Sequence, residues 1–235
     1  MMIRQVQDIQ YQLLPGTQRR TTDIVIERDG TVTVRPPSHL TPQQIDETVF
    51  SKRMWIYRNL AEWRERNASR VHREWVNGES FLYLGNCYRL QIVNDQQQLV
   101  ELKGDRLCLS RAVIESNGQS GARQALIVFY QTTGLPLIQK RVSGFTEKVG
   151  VTARSVQIKD LGHRWATCSK KADLHFHWKT LMAPLTIIDY LIVHELCHLH
   201  YRDHSIAFWN EVDKILPDYQ ERKNWLRVEG AGLDL

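Results

Sequence analysis

The chain has no Cys-x-x-Cys pair, no long apolar run and no block of like charge, and each absence removes a class of protein. Its four cysteines, Cys87, Cys108, Cys168 and Cys197, are scattered, which argues against a disulfide framework and against a thiolate zinc knuckle. No stretch reaches the roughly 18 consecutive apolar residues that a membrane span needs, and Met1-Met2-Ile3-Arg4-Gln5 lacks the apolar core of a secretory signal. The expectation is a cytoplasmic protein without a membrane partner. The net charge of +5 comes from interspersed residues, so nucleic-acid association is permitted but not indicated.

What is present is an ordinary globular composition over 235 residues, enough for one large domain or two small ones. Seven tryptophans supply large buried anchors. Histidine is unevenly placed, with seven of the nine lying between His163 and His204. Chemistry is therefore expected in the C-terminal third.

The fold expected is α+β, with a β-hairpin-rich half ahead of a small helix and sheet domain. Residues 22–35 alternate apolar and polar around Asp29-Gly30, a strong hairpin signal, and Pro36-Pro37 ends the second strand. Thr41-Pro42-Gln43-Gln44 reads as a capping box opening an amphipathic helix through Trp63. Two further hairpins flank Gly85-Asn86 and Gly104-Asp105. The polar, glycine-containing stretch 115–121 suggests a boundary between a β-rich region, 1–118, and a second domain, 119–235. Helices are expected from Ala122 to Tyr130 and again from Pro136 to Val149, strands at 155–158 and 174–178, and a buried helix over about 184–200. Ser205 and Asp218 read as starts of two last helices.

The buried helix carries His194-Glu195-Leu196-Cys197-His198, the H-E-x-x-H pattern. Four residues on a helix rotate by about 400°, so the two imidazoles lie one turn apart on one face and can reach one ion. Glu195 lies about 100° round, where it can touch water beside the ion, the position of a general base. A catalytic zinc takes three protein ligands and leaves one position open. His200 points away along the helix, whereas His204 can return to the metal after a turn at Tyr201-Arg202-Asp203. Asp189, Asp203 and Glu211 are alternatives for orienting the ligand imidazoles. Tyr201, His163, Arg164 and His177 are alternatives for stabilising an oxyanion. Cys197 reads as a small core residue. These parts suit hydrolysis of an extended peptide or unstructured protein by a zinc-activated water.

Several further segments resemble the YgjP-like metallopeptidase family, related to the SprT-type zincins: Arg164-Trp165-Ala166-Thr167-Cys168-Ser169, Leu174-His175-Phe176-His177-Trp178, Ala183-Pro184, Phe208-Trp209 and Leu216-Pro217-Asp218-Tyr219. Gly78 to Gly85 and the N-terminal hairpin and helix fit as well, so the resemblance spans nearly the full chain. It implies a zincin-like domain, zinc on His194, His198 and His204, Glu195 as base, and a strand at Leu174 to Trp178 beside the active-site helix. Ala166-Thr167 stands where the family usually has Gly-Ser, and His177 where it usually has Asn. The SprT relation adds an alternative, a nucleic-acid-associated protease or zinc module acting on DNA-bound proteins. Neither the natural substrate nor the oligomeric state can be read from the sequence.

Overall fold

The computed structural model describes residues 2–18, 20–27, 30–67, 73–162 and 164–235, without the side chains of 62–67. The fold is α+β, and the chain divides into two compact units, 1–70 and 71–235.

In the first unit, β1 (Met2–Val6) and β2 (Ile9–Leu13) form a hairpin, and β3 (Asp23–Ile26) and β4 (Val32–Arg35) form another. Parallel pairing of β2 with β4 joins them in the order β1-β2-β4-β3. The second hairpin is the one expected around Asp29-Gly30, although Asp29 itself lies outside the described residues. The Thr41 capping box forms, with its Oγ accepting from Gln44 N–H, and opens α1 (Pro42–Ser51). The expected single helix through Trp63 is two, α1 and α2 (Arg53–Asn67), separated at Lys52, and Trp63 lies among the side chains not described. Ile9, Tyr11, Val32, Val34, Ile45, Val49 and Ile56 form the core of this unit. Asp46 anchors α1 to the sheet by accepting from Tyr11 Oη and from Arg4 Nη2 at 2.6 Å.

The second unit opens with β5 (Ser80–Tyr83), β6 (Asn86–Val93), β7 (Val100–Lys103) and β8 (Arg106–Ser110), ordered β5-β6-β8-β7. Both expected hairpins are present. Next comes α3 (Arg111–Val149), two helical stretches joined across a kink at Gly118, within the polar stretch 115–121. Only Gly118 leaves helical geometry, with φ of 58°, and Pro136 is carried inside the helix. A helix-interior proline costs a hydrogen bond, which packing offsets here, since Leu126, Tyr130, Ile138 and Val142 of α3 are buried in a core shared with Phe81, Leu90 and Leu109 of the sheet. That shared core holds the sheet and α3 together within the unit 71–235.

A second sheet of this unit has the order β10-β11-β9, from β9 (Ser155–Lys159), β10 (Ala166–Cys168) and β11 (Asp173–His177). Its central strand β11 pairs parallel to β9 and antiparallel to β10. The resemblance implies a strand at 174–178 beside the active-site helix, and β11 is that strand. Both edges of β11 are paired, and the strand at the sheet edge that packs against that helix is the three-residue β10.

A short 3-10 turn, Trp178–Met182, leads to α4 (Leu185–Cys197), shorter than the expected 184–200. Its residues from Ile187 to Val193 are buried, together with Leu196 and Cys197. Burying each large apolar side chain contributes about 1.5–3 kcal/mol, so α4 is fixed from all sides. The turn between β5 and β6 abuts its start: Leu84 N–H donates to Leu181 O at 2.7 Å, and Gly85 N–H to Met182 O at 3.2 Å. Gly85 has φ of +79° and a position where a Cβ would lie 2.9 Å from Pro184 Cα, so only glycine fits. Finally, α5 (Ile206–Ile215) begins at Ser205, which accepts from Phe208 N–H, and α6 (Tyr219–Glu229) follows Asp218. No helix of the described residues is long and apolar enough to cross a membrane.

Candidate metal centre

His194 sits in the last turn of α4 and His198 caps its C-terminus. The chain then turns: Tyr201 N–H donates to Cys197 O at 3.0 Å, and Asp203 Oδ1 accepts from Ser205 N–H at 3.2 Å. This turn carries His204 back to the pair. The ring centroids of His194, His198 and His204 stand 4.8 to 5.0 Å apart, and each residue offers one ligand atom within 4.8 Å of the others. His194 and His204 point their Nε2 atoms at one another across 3.1 Å. Two nitrogens at about 2.0–2.1 Å from one tetrahedral zinc stand roughly 3.3 Å apart, so the imidazoles fit a shared ion. His198 Nδ1 lies 3.0 Å from the Tyr201 carbonyl. The carbonyl can only accept, which places the proton on Nδ1 and leaves the Nε2 lone pair of His198 for a metal.

An aromatic cup holds the triad. Phe208, fully buried one turn into α5, meets all three imidazoles at 4.6 to 5.0 Å between centroids. Trp209 packs beside it, stacked on His204 at 5.6 Å. In the sequence Phe208 is named as part of the family resemblance and not as a support of the triad; its signal is the capping Ser205, which fixes Phe208 one turn behind His204.

Burial sets the electrostatics. His194 is pushed down to about 3, chiefly by burial and then by the neighbouring His198, His204 and Lys223. His204 is lowered by burial as well. The Glu195 carboxyl, 4% exposed, is pushed up to about 8 by burial, partly countered by the positive charge of Arg164. Among the described residues, its Oε2 and His194 Nδ1 are both buried without a hydrogen-bond partner. A buried carboxylate oxygen with nothing to accept is costly unless a ligand or substrate supplies the proton.

The expected orienting carboxylates do other work. Asp189 accepts from Arg141 of α3, Asp203 caps the turn before α5, and Glu211 faces Lys214 at 3.6 Å. None bonds a triad imidazole; the Tyr201 main-chain carbonyl does so instead, and main-chain acceptors leave no mark in a sequence. His200, expected to point away, lies 2.8 Å from Val149 O at the end of α3. Cys197 is a buried core thiol, as expected, pushed up to about 12 by burial.

Of the alternatives for oxyanion stabilisation, His163 lies outside the described residues. His177 is buried and caps the 3-10 turn, its Nδ1 accepting from Lys179 N–H at 3.1 Å, a task asparagine performs equally well. Tyr201 contributes its carbonyl to His198. Arg164 is the residue whose charge reaches Glu195.

The open edge of β10 lies at the same site. Alternation in the antiparallel pair turns the N–H and C=O groups of Ala166 and Cys168 away from β11. Arg202, from the turn after α4, donates to Ser169 O at 3.0 Å and to Lys170 O at 3.4 Å, tying that turn to the end of β10.

Residues 20–229 match the family described as YgjP-like, metallopeptidase domain. Among solved structures, the chain is similar to the metallopeptidase zymogen of Pyrococcus abyssi abylysin, with 25% identity, 37% of this chain and 89% of that chain covered, and a TM-score of 0.35. It is also similar to the metallopeptidase zymogen of Methanocaldococcus jannaschii jannalysin, with 21% identity, 37% and 90% coverage, and a TM-score of 0.34. A comparison with curated proteins finds no match. With nearly its whole length matched, this chain belongs to the YgjP-like metallopeptidase family.

Proposed function

We propose that the chain is a zinc peptidase in which His194, His198 and His204 hold the metal and Glu195 is the general base. The observation that carries this reading is the convergence of three imidazoles beside a buried carboxylate oxygen that has no hydrogen-bond partner among the described residues. A structural zinc site normally has four protein ligands. Among the described residues only these three converge, which favours a site with a position left for substrate chemistry.

Zinc bound there would supply a Lewis acid that polarises a scissile carbonyl and makes water more acidic. Glu195 takes the proton of the attacking water on its free Oε2 and delivers it to the leaving amine nitrogen. Burial suits it to this exchange, because a carboxyl whose affinity for protons is raised toward neutrality both accepts and returns one readily. The His198 bond to Tyr201 O keeps that imidazole from rotating. An extended peptide pairs its main chain with Ala166 and Cys168 along β10, and Arg202 fixes the end of that edge.

The test is Glu195→Gln. The variant keeps about one zinc per chain by elemental analysis, while hydrolysis of an unstructured protein such as casein falls to background. Activity equal to that of the unaltered chain would overturn the mechanism.

A further inference from the structure

The aromatic cup continues outward from the triad. Trp209 stacks on His204 at 5.6 Å with an interplanar angle of 21°, and on Tyr219 of α6 at 5.2 Å with an angle of 17°. Beyond it Trp209, Tyr219, Gln220, Lys223, Asn224 and Arg227 line a pocket of about 310 Å³. Tyr219, Lys223 and Arg227 are four residues apart and so share one face of the helix.

Two cations line this pocket. Lys223 Nζ lies 4.2 Å above the Trp209 ring, and Arg227 donates from Nε and Nη2 to Asn224 Oδ1 at 3.3 and 2.9 Å. Neither cation has an ion-pair partner among the described residues. Elsewhere on α6 the contrast is plain: Arg222 is paired with Asp218 at 2.9 Å and donates to Thr186 O. The positive charge of Lys223 is felt at His194 and His204, so the pocket lies within electrostatic reach of the triad. A cation within reach of a site for a metal dication, as Lys223 is, repels it unless an anion comes between them. At the lower end of the size range for ligand pockets, this one suits a group of side-chain dimensions with a flat apolar part and a negative end.

The geometry points to a specificity pocket in which Lys223 and Arg227 receive a carboxylate of the peptide substrate, either an Asp or Glu side chain near the scissile bond or the peptide's own C-terminus. This inference rests on the reading of the triad as the metal centre of a peptidase. The carboxylate is the anion that peptides carry, and the Trp209 and Tyr219 rings accept the methylenes leading to it.

Two measurements test it separately from catalysis. Zinc-loaded Glu195→Gln full-length protein is titrated with fluorescent peptides that differ only in Glu, Gln or Lys at each position in turn, every peptide made as free acid and as amide. The unaltered chain is assayed for cleavage of the same set. The expected result is a preference of about 5- to 10-fold for Glu over Gln at one position, or for free acid over amide, the pair that responds naming the source of the carboxylate. The preference shrinks below about twofold when Lys223→Gln and Arg227→Gln are combined, and Lys223→Glu turns it toward Lys, as complementary charge requires. Unchanged zinc content and thermal midpoint show that these exposed substitutions leave the fold intact. A Glu to Gln ratio that is the same in the unaltered and substituted proteins overturns the pocket. Binding preference that follows Lys223 without any peptide cleavage supports the pocket and sinks the peptidase reading, whereas cleavage indifferent to Lys223 and Arg227 does the reverse.

Discussion

Arg141 of α3 and Asp189 of α4 form a two-point ion pair, Nε to Oδ1 and Nη2 to Oδ2, with the carboxylate side chain only 12% exposed. The pair clamps α4 to α3, five residues before His194. Asp189→Asn keeps the shape and removes the charge, leaving a partly buried guanidinium without its partner. The expected loss is about 1–3 kcal/mol of unfolding free energy, less than for a fully buried pair because Arg141 keeps some contact with water. Denaturant titration measures it, and zinc content at saturation is expected to stay at about one per chain. A drop in zinc affinity with no loss of stability would place Asp189 at the metal instead.

Glu195 gives the metal-free protein a pH signature. Its folded value of about 8 stands above the usual 4.5, so the folded state holds a proton that the unfolded state has released. Stability is therefore fully present below about 4.5 and is lost as pH rises toward 8. In Glu195→Gln that loss disappears. Thermal scans of chelated protein at pH 5 and pH 8 are expected to show the variant gaining on the parent at the higher pH, by up to a few kcal/mol. An equal gap at both values would mean that the carboxyl is not desolvated.

His204 and His200 separate a ligand from a packing residue. With two donors left, His204→Ala is expected to lose zinc during dialysis that the parent survives. His200→Ala should hold zinc normally and lose about 1 kcal/mol of stability with its bond to Val149 O. Elemental analysis paired with urea unfolding distinguishes them, and zinc loss in His200→Ala alone would reverse the assignment.

Phe208 lies under all three imidazoles, so Phe208→Ala opens a cavity in the core and loosens the triad together. The expected cost is about 3–5 kcal/mol, accompanied by weaker zinc binding at a pH where the imidazoles are neutral. Phe208→Leu, which refills most of the volume, is expected to recover most of the stability. If zinc affinity were untouched in both, the triad would be held by its main-chain turn alone.

Much of this site was readable before any coordinates, because its signals are local. The i, i+4 spacing of His194 and His198 puts two imidazoles on one helix face whatever the rest of the chain does. Asp29-Gly30 and Gly85-Asn86 announced their hairpins, and Thr41 with Gln44 its helix cap, through turn and cap chemistry that a few residues decide. What escaped depends on distant partners. Arg141 and Asp189 are 48 residues apart, and β1 and β2 find their place through the parallel pairing of β2 with β4. The unbroken course of α3 past Pro136 follows from packing that outweighs a local breaker. At three residues, β10 is too short for any periodicity to register.

That brevity has a consequence for how the molecule behaves in company. An unpaired strand edge beside a cleft is the sort of surface through which copies of a protein join into aggregates, and nature commonly blunts such edges by keeping them short. Ala166 and Cys168 present only two outward sets of main-chain groups, and Arg202 closes off the far end. A neighbouring copy therefore finds too little edge to build a lasting sheet. The peptide segment proposed to pair along β10 needs no more than that.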